Sequence, residues 1–183
     1  DAHSSNGHAS AGCTAVAMGQ ILRYWRYPVH GVGSHSYESN NSSMGIGYGD
    51  YGTLSADFAN ATYDYDNMPD SLTASSSPAE INAVATLLYH CGVSLSTAYG
   101  VISSSAFISV VDDALRNHFD YVNVQHIYRS VFTETDWLNR IKNELNLLRP
   151  VFYTGAGAAS VHAFVCDGYD DQNFFHMNWG WGG

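Results

Sequence analysis

The chain has 183 residues, enough to bury a core without disulfide or metal staples. Seven Lys and Arg against seventeen Asp and Glu leave a net charge of −10. That balance excludes nucleic acid and anionic membrane as main partners, because both need a basic footprint.

Charged residues make up only 13% of the chain, against about 25% in an average domain. Gly, Ser, Asn and Tyr fill the difference, a surface more familiar in exported proteins than in cytosolic ones. No apolar stretch approaches the ~20 residues needed to span a bilayer. The first residues, Asp-Ala-His-Ser-Ser-Asn, have neither the basic start nor the apolar run of a signal peptide, so an exported protein would already have shed its targeting segment. Cys13, Cys91 and Cys166 allow at most one disulfide, so at least one thiol stays free.

In chain order, a polar segment over residues 1–12 leads into a helix over residues 13–25. There Val16, Met18, Ile21, Leu22 and Trp25 recur near helical spacing, and Pro28 bars continuation. Residues 29–76, rich in Gly, Ser, Asn, Asp and Tyr, read as an ordered loop region or short strands. Ser77-Pro78-Ala79-Glu80 is a capping box. It opens a helix with Ile81, Val84, Leu87, Leu88 and Cys91 on one face, ending at Gly92. A serine-rich loop at 103–105 leads to a helix near 107–118. Thr133 opens another, with Trp137, Ile141, Leu145 and Leu148 inward and Pro150 closing it. Strand character follows over 151–153, 162–166 and 174–178. Helices first and an antiparallel sheet last make an α+β chain.

Thiol catalysis needs a thiolate, a base held against it and a group that orients the base. Cys13 falls at a helix start, where the macrodipole and unpaired amides favour a thiolate. His162 opens the apolar strand Ala163-Phe164-Val165, just after the glycine-rich run 155–159. Asn178 lies 16 residues further on, so a short turn would set it beside His162 to accept a ring hydrogen bond, with Trp179 shielding that bond from water. Cys91 and Cys166, inside apolar patterns, read as core packing.

His162 and Asn178 follow Cys13 by 149 and 165 residues, the Cys, His, Asn order of papain-type enzymes. The chain resembles the streptopain-like cysteine peptidases, secreted bacterial proteases with the papain fold. Three segments carry the likeness: Gly12-Cys13-Thr14-Ala15-Val16-Ala17-Met18-Gly19-Gln20-Ile21 with Tyr24 and Tyr27-Pro28; His162-Ala163-Phe164-Val165 with Asp167-Gly168; and residues 175–183, Phe-His-Met-Asn-Trp-Gly-Trp-Gly-Gly. The resemblance implies a papain-like α+β fold, with a helical half packed against an antiparallel sheet half and a cleft between them. It implies Cys13 as nucleophile, His162 as base, Asn178 as its orienting partner and Trp179 packed over the pair. Trp181 matches a cleft tryptophan. Ser103 and Ser105 lie on the loop that borders the substrate pocket in the family, and Val161 stands where the family usually has Gly beside the scissile bond.

The same resemblance implies protein or peptide substrates, secretion, and synthesis with an inhibitory N-terminal propeptide. Residues 1–183 read as one peptidase domain lacking the family's N-terminal and C-terminal segments, including the upstream Gln that completes the oxyanion hole. The competing reading is a fragment or homologue that keeps the cleft as a peptide-binding module without turnover. Acyl transfer to amines on the same Cys-His site is a third possibility. No cofactor or metal is expected: there is no Cys-x-x-Cys, no His-Glu-x-x-His and no EF-hand spacing, and Tyr63-Asp64-Tyr65-Asp66 reads as a solvated loop.

Overall fold

In a computed structural model, which describes residues 8–157 and 161–181, the first helix starts where its sequence says it should. α1 (Cys13–Trp25) follows Gly12 at φ 86°, a conformation L side chains rarely adopt, and stops at Arg26 in the left-handed region. It is buried on two sides. Ala15, Met18 and Leu22 join one cluster, while Ala17 and Ile21 meet the sheet. Trp25, expected inward, is half exposed on the last turn with Tyr24 edge-on to it. Residues 1–7, Ala158 and Ala159 of the glycine-rich run, and Gly182 and Gly183 lie outside the described residues.

The stretch from 29 to 76 contains a two-stranded antiparallel hairpin, β1 (Ser34–Asn40) and β2 (Asp50–Asp57), paired Ser34 to Asp57. Its Ser- and Gly-rich strands carry little apolar alternation. The Tyr63–Asp66 segment is only half solvated. Tyr63 and Tyr65 are buried, the Tyr63 hydroxyl hydrogen-bonded with His90 Nδ1 at 3.0 Å and the Tyr65 hydroxyl donating to the Pro28 carbonyl at 2.9 Å, while Asp64 caps a short 3-10 turn and Asp66 pairs with Arg26. Alternation at short range sends the tyrosines inward and the carboxylates out.

α2 (Pro78–Ser94) opens on the expected capping box, Ser77 Oγ accepting from Glu80 N and Glu80 accepting from Ser77 N. It runs through Gly92 rather than stopping there. A side chain at 92 would collide with the Tyr99 hydroxyl, so this glycine marks a close approach and not a terminus. Leu87 and Cys91 are buried as expected, whereas Ile81, in the first turn, is exposed. A 3-10 turn at Ile108–Val110 leads into α3 (Val111–Phe119). α1, α2, α3 and the hairpin enclose the main core, centred on Phe58, Leu22, Met18, Cys91, Val93 and Phe119. Each such side chain contributes about 1.5–3 kcal/mol by leaving water.

α4 (Glu134–Asn146) is capped by Thr133, whose hydroxyl accepts from Asp136 N. Trp137, Ile141 and Leu145 are buried, but the helix ends before Leu148, which lies exposed at φ 56°. The remaining strands, β3 (Val151–Ala156), β4 (Val161–Tyr169) and β5 (Phe175–Asn178), form an antiparallel sheet with β4 central. Period-two alternation splits β4 between two helices. Ala163 and Val165 pack on Ala17 and Ile21 of α1, whereas Cys166 packs on Trp137, Ile141 and Leu145 of α4. The architecture is α+β, a helical half set against an antiparallel sheet through α1.

Candidate active site

Cys13 is the first residue of α1, and the first helical bond runs from Val16 N to the Gly12 carbonyl at 3.0 Å. The first turn carries no acidic side chain, so the positive end of the helix dipole acts there unopposed. The thiol is half-buried on the Ala17, Ile21, Ala163 and Val165 cluster, with Thr14 Oγ1 at 4.0 Å. Cys91 and Cys166 are fully buried. Burial pushes the Cys91 thiol far up and the Cys166 thiol up to about 11, which keeps both as inert thiols. Of the three cysteines, Cys13 is the one open to chemistry.

His162 stands opposite Gly155 near the start of β4. Its Nε2 lies 3.0 Å from the Trp179 carbonyl oxygen. A carbonyl can only accept, so in the neutral ring Nε2 carries the hydrogen and Nδ1 keeps its lone pair. Aromatic rings surround the imidazole. Trp179 stacks at 6.1 Å, Phe164 at 5.9 Å, and Trp181 lies tilted at 5.5 Å; Trp179 also packs 4.6 Å from Phe164. Trp179 is 45% exposed and Trp181 76%, so both form a rim and not a core. Among the described residues no hydrogen bond joins Cys13 to His162, and contacts of that kind commonly tighten only with substrate bound.

Asn178 ends β5 and pairs with Val165 of β4, so the short turn does set it on the strand beside His162. Its side chain is otherwise engaged. Oδ1 accepts from Gln20 Nε2 at 2.9 Å and from Gly180 N at 3.1 Å. The bond to Gly180 is an Asx turn, the favoured local alternative for an Asn two residues before a left-handed glycine. Gly180 has φ 72°, and a side chain there would strike Val16 Cγ1. The turn therefore presses against α1 and presents the Trp179 carbonyl to His162, taking the ring contact expected of Asn178.

The serine loop also reaches the start of α1. Ala98 and Ser105 exchange backbone bonds of 2.8 and 2.9 Å, and both Ser103 and Ser105 are exposed. The buried residue is Ser104, not marked by the sequence. Its hydroxyl donates to the Ser10 carbonyl at 2.6 Å and accepts from Gly100 N at 3.0 Å, and its Cβ lies so close to Gly12 that a side chain on Gly12 would crowd it. Ser104 thus ties this loop to the approach to Cys13. Three consecutive serines gave no way to single it out. Val161 is exposed at the start of β4, opposite Ala156. In the sequence Gln20 stands out only as part of its motif, yet it shares a helical face with Cys13 and Val16, a spacing that marks it. His176 pairs with Asp167 at 2.5 Å, beside an irregularity in β4.

The whole chain, residues 1–183, matches the family model described as Peptidase C10 family. It is 36% identical over 180 residues to the thiol protease/hemagglutinin PrtT of Porphyromonas gingivalis, covering 98% of this chain and 20% of that protein. It is 36% identical over 177 residues to streptopain of Streptococcus pyogenes, covering 96% of this chain and 44% of streptopain. The chain thus spans less than half the length of either. The structure of active wild-type interpain A cysteine protease from Prevotella intermedia superposes with a TM-score of 0.86 at 36% identity, over 98% of this chain and 74% of that one. A prointerpain A fragment from the same organism gives 0.85 at 37%, over 98% and 56%. These likenesses fit the papain-like α+β fold to the architecture above, and the chain belongs to the peptidase C10 family.

Proposed function

We propose that this chain is the peptidase domain of a secreted bacterial cysteine endopeptidase that hydrolyses peptide bonds of proteins through Cys13 and His162. One observation carries the reading. The only thiol that is not fully buried begins a helix packed on the strand that carries His162, whose ring is fixed by a carbonyl at Nε2. The Cys13 thiolate attacks the scissile carbonyl carbon, and the oxyanion is met by the Cys13 backbone N–H, one of the amides a helix start leaves without an intrahelical partner. The His162 imidazolium then gives its Nδ1 proton to the leaving amine, producing a thioester. Neutral His162 next takes a proton from water, whose oxygen attacks the thioester, releasing the acid and restoring the thiolate. Asn178 shapes the turn that orients the ring, and Trp179 screens it from water. Ser103, Ser105, Val161 and Trp181 border the substrate.

Synthesis with an inhibitory N-terminal propeptide belongs to the same proposal, supported by the pro-form known for the Prevotella relative. Residues 1–183 act as a single domain in this reading. The test is to incubate the protein with an unfolded protein substrate, with and without an irreversible thiol-protease inhibitor, and to read the new termini by mass spectrometry. New free carboxyl termini that disappear with the inhibitor are expected. Amide-linked products would point to acyl transfer, and no cleavage with an unmodified Cys13 would leave a binding module.

A further inference from the structure

Gln20 lies seven residues after Cys13, on the same face of α1. Its Nε2 donates to Asn178 Oδ1 at 2.9 Å, across the boundary between helix and sheet. Its other amide atom, Oε1, is buried and has no hydrogen-bond partner among the described residues. A buried acceptor left unmatched costs stability, so a purely structural position would favour an apolar side chain of the same length. The retained amide therefore points to a role for its donor.

The donor's connections supply one. Asn178 Oδ1 receives Gln20 Nε2 and Gly180 N together, which occupies both of its lone pairs and fixes the turn through Trp179. The Trp179 carbonyl in that turn meets His162 Nε2. Val16, one turn before Gln20, lies against the same side of Gly180. One rigid helix thus holds the thiol at its start and, two turns later, the peptide that sets the imidazole. We propose that Gln20 is a positioning residue, acting through Asn178 and the Trp179 carbonyl to set His162 against Cys13. This rests on the peptidase reading above.

Two variants separate positioning from packing. Gln20→Met keeps the length of the side chain and removes both the donor and the unmatched acceptor. Gln20→Glu keeps the shape but replaces the donor with a carboxylate that repels Asn178 Oδ1. Both should lower kcat about tenfold, since a lost hydrogen bond and a small shift of a base each cost turnover of this order. KM should change little, and the high-pH limb of the activity profile should move down as the imidazolium loses support. The melting temperature of Gln20→Met should be unchanged or higher. In the double variant Gln20→Met/Asn178→Ala the loss should equal that of Asn178→Ala alone, because both act along one chain of contacts. Wild-type kcat and pH profile in Gln20→Met, measured per inhibitor-titrated site, would overturn the positioning role while leaving the peptidase reading intact. Wild-type protein that cannot be titrated at Cys13 would instead overturn the peptidase reading itself.

Discussion

Two clusters in this molecule bring histidines against aromatic rings, and they differ in what surrounds the imidazoles. Around the fully buried Phe58, His118 stacks at 4.5 Å and His90 sits edge-on at 5.4 Å, with His35 5.7 Å from His118. Burial is the main force on His90 and His118, and it pushes both below the ordinary imidazole range. Around His162 the rings of Trp179 and Trp181 stand at an exposed rim, and the imidazole is held by a carbonyl. A helix start with a thiol lies on the same junction. Similar residue types are used twice. In the first cluster burial favours the neutral rings, and in the second the imidazole stands beside an exposed aromatic rim. Changes in the first should therefore move stability, and changes in the second should move turnover.

The sharpest separation comes from removing the sulfur. Cys13→Ala should lower peptide hydrolysis by about 10³-fold or more, as loss of a nucleophile does in paired sites, with a melting temperature close to wild type. Hydrolysis at the wild-type rate would remove Cys13 from the mechanism. Phe58→Ala makes the opposite cut. Truncating this fully buried ring should cost about 3–5 kcal/mol in denaturant unfolding, while turnover per folded molecule stays unchanged. A selective loss of turnover there would show that the two clusters are coupled.

Trp179→Ala should act at the rim. It removes the ring stacked on His162 and tilted against Phe164, admits water, and should lower kcat about tenfold, equivalent to about 1.4 kcal/mol of barrier. A full-length pH profile of both proteins on one peptide would show it, and an unchanged rate would reduce Trp179 to surface packing. The smallest effect is the acid response of the Phe58 cluster. His90 and His118 titrate lower folded than unfolded, so the unfolded chain takes up protons first. Their contribution is complete above the unfolded value of about 6.5 and is lost as pH falls through that value toward the folded ones. Asp57 opposes the shift at His90; at His118 the Val32 carbonyl opposes it and His35 adds to it. Urea midpoints measured at pH 7.5 and 5.5 should differ less in His118→Gln than in wild type. An equal or larger difference would contradict the assignment.

The sequence read well where one short-range rule decided the outcome. The capping box at Ser77 and Glu80, the Thr133 cap and the start of α1 all formed as read, because caps and left-handed glycines act within a few residues. The β1–β2 hairpin was less visible, since its Ser and Gly residues lack an alternating apolar face. Gly92 read as a stop because nothing local reveals a tyrosine hydroxyl seven residues on that fills its side-chain space. The candidate site divides in the same way. Motif order brought out Cys13, His162 and Asn178, but the bond from Gln20 to Asn178 spans 158 residues and depends on how helix and sheet dock. Likewise the Asx turn to Gly180, which leaves the Trp179 carbonyl for His162, is a local competition that spacing alone could not decide.

Thiol reactivity reads out the pairing of Cys13 with His162. Iodoacetamide modification followed by peptide mapping would give the alkylation rate of each cysteine from pH 5 to 9, with buried Cys91 and Cys166 as internal controls. In wild type Cys13 should be alkylated far faster than the two controls, which stay silent. In His162→Ala the Cys13 rate should fall by about tenfold or more, because the imidazole no longer supports the thiolate. Identical Cys13 profiles with and without the imidazole, or a Cys13 no more reactive than Cys166, would contradict the pairing.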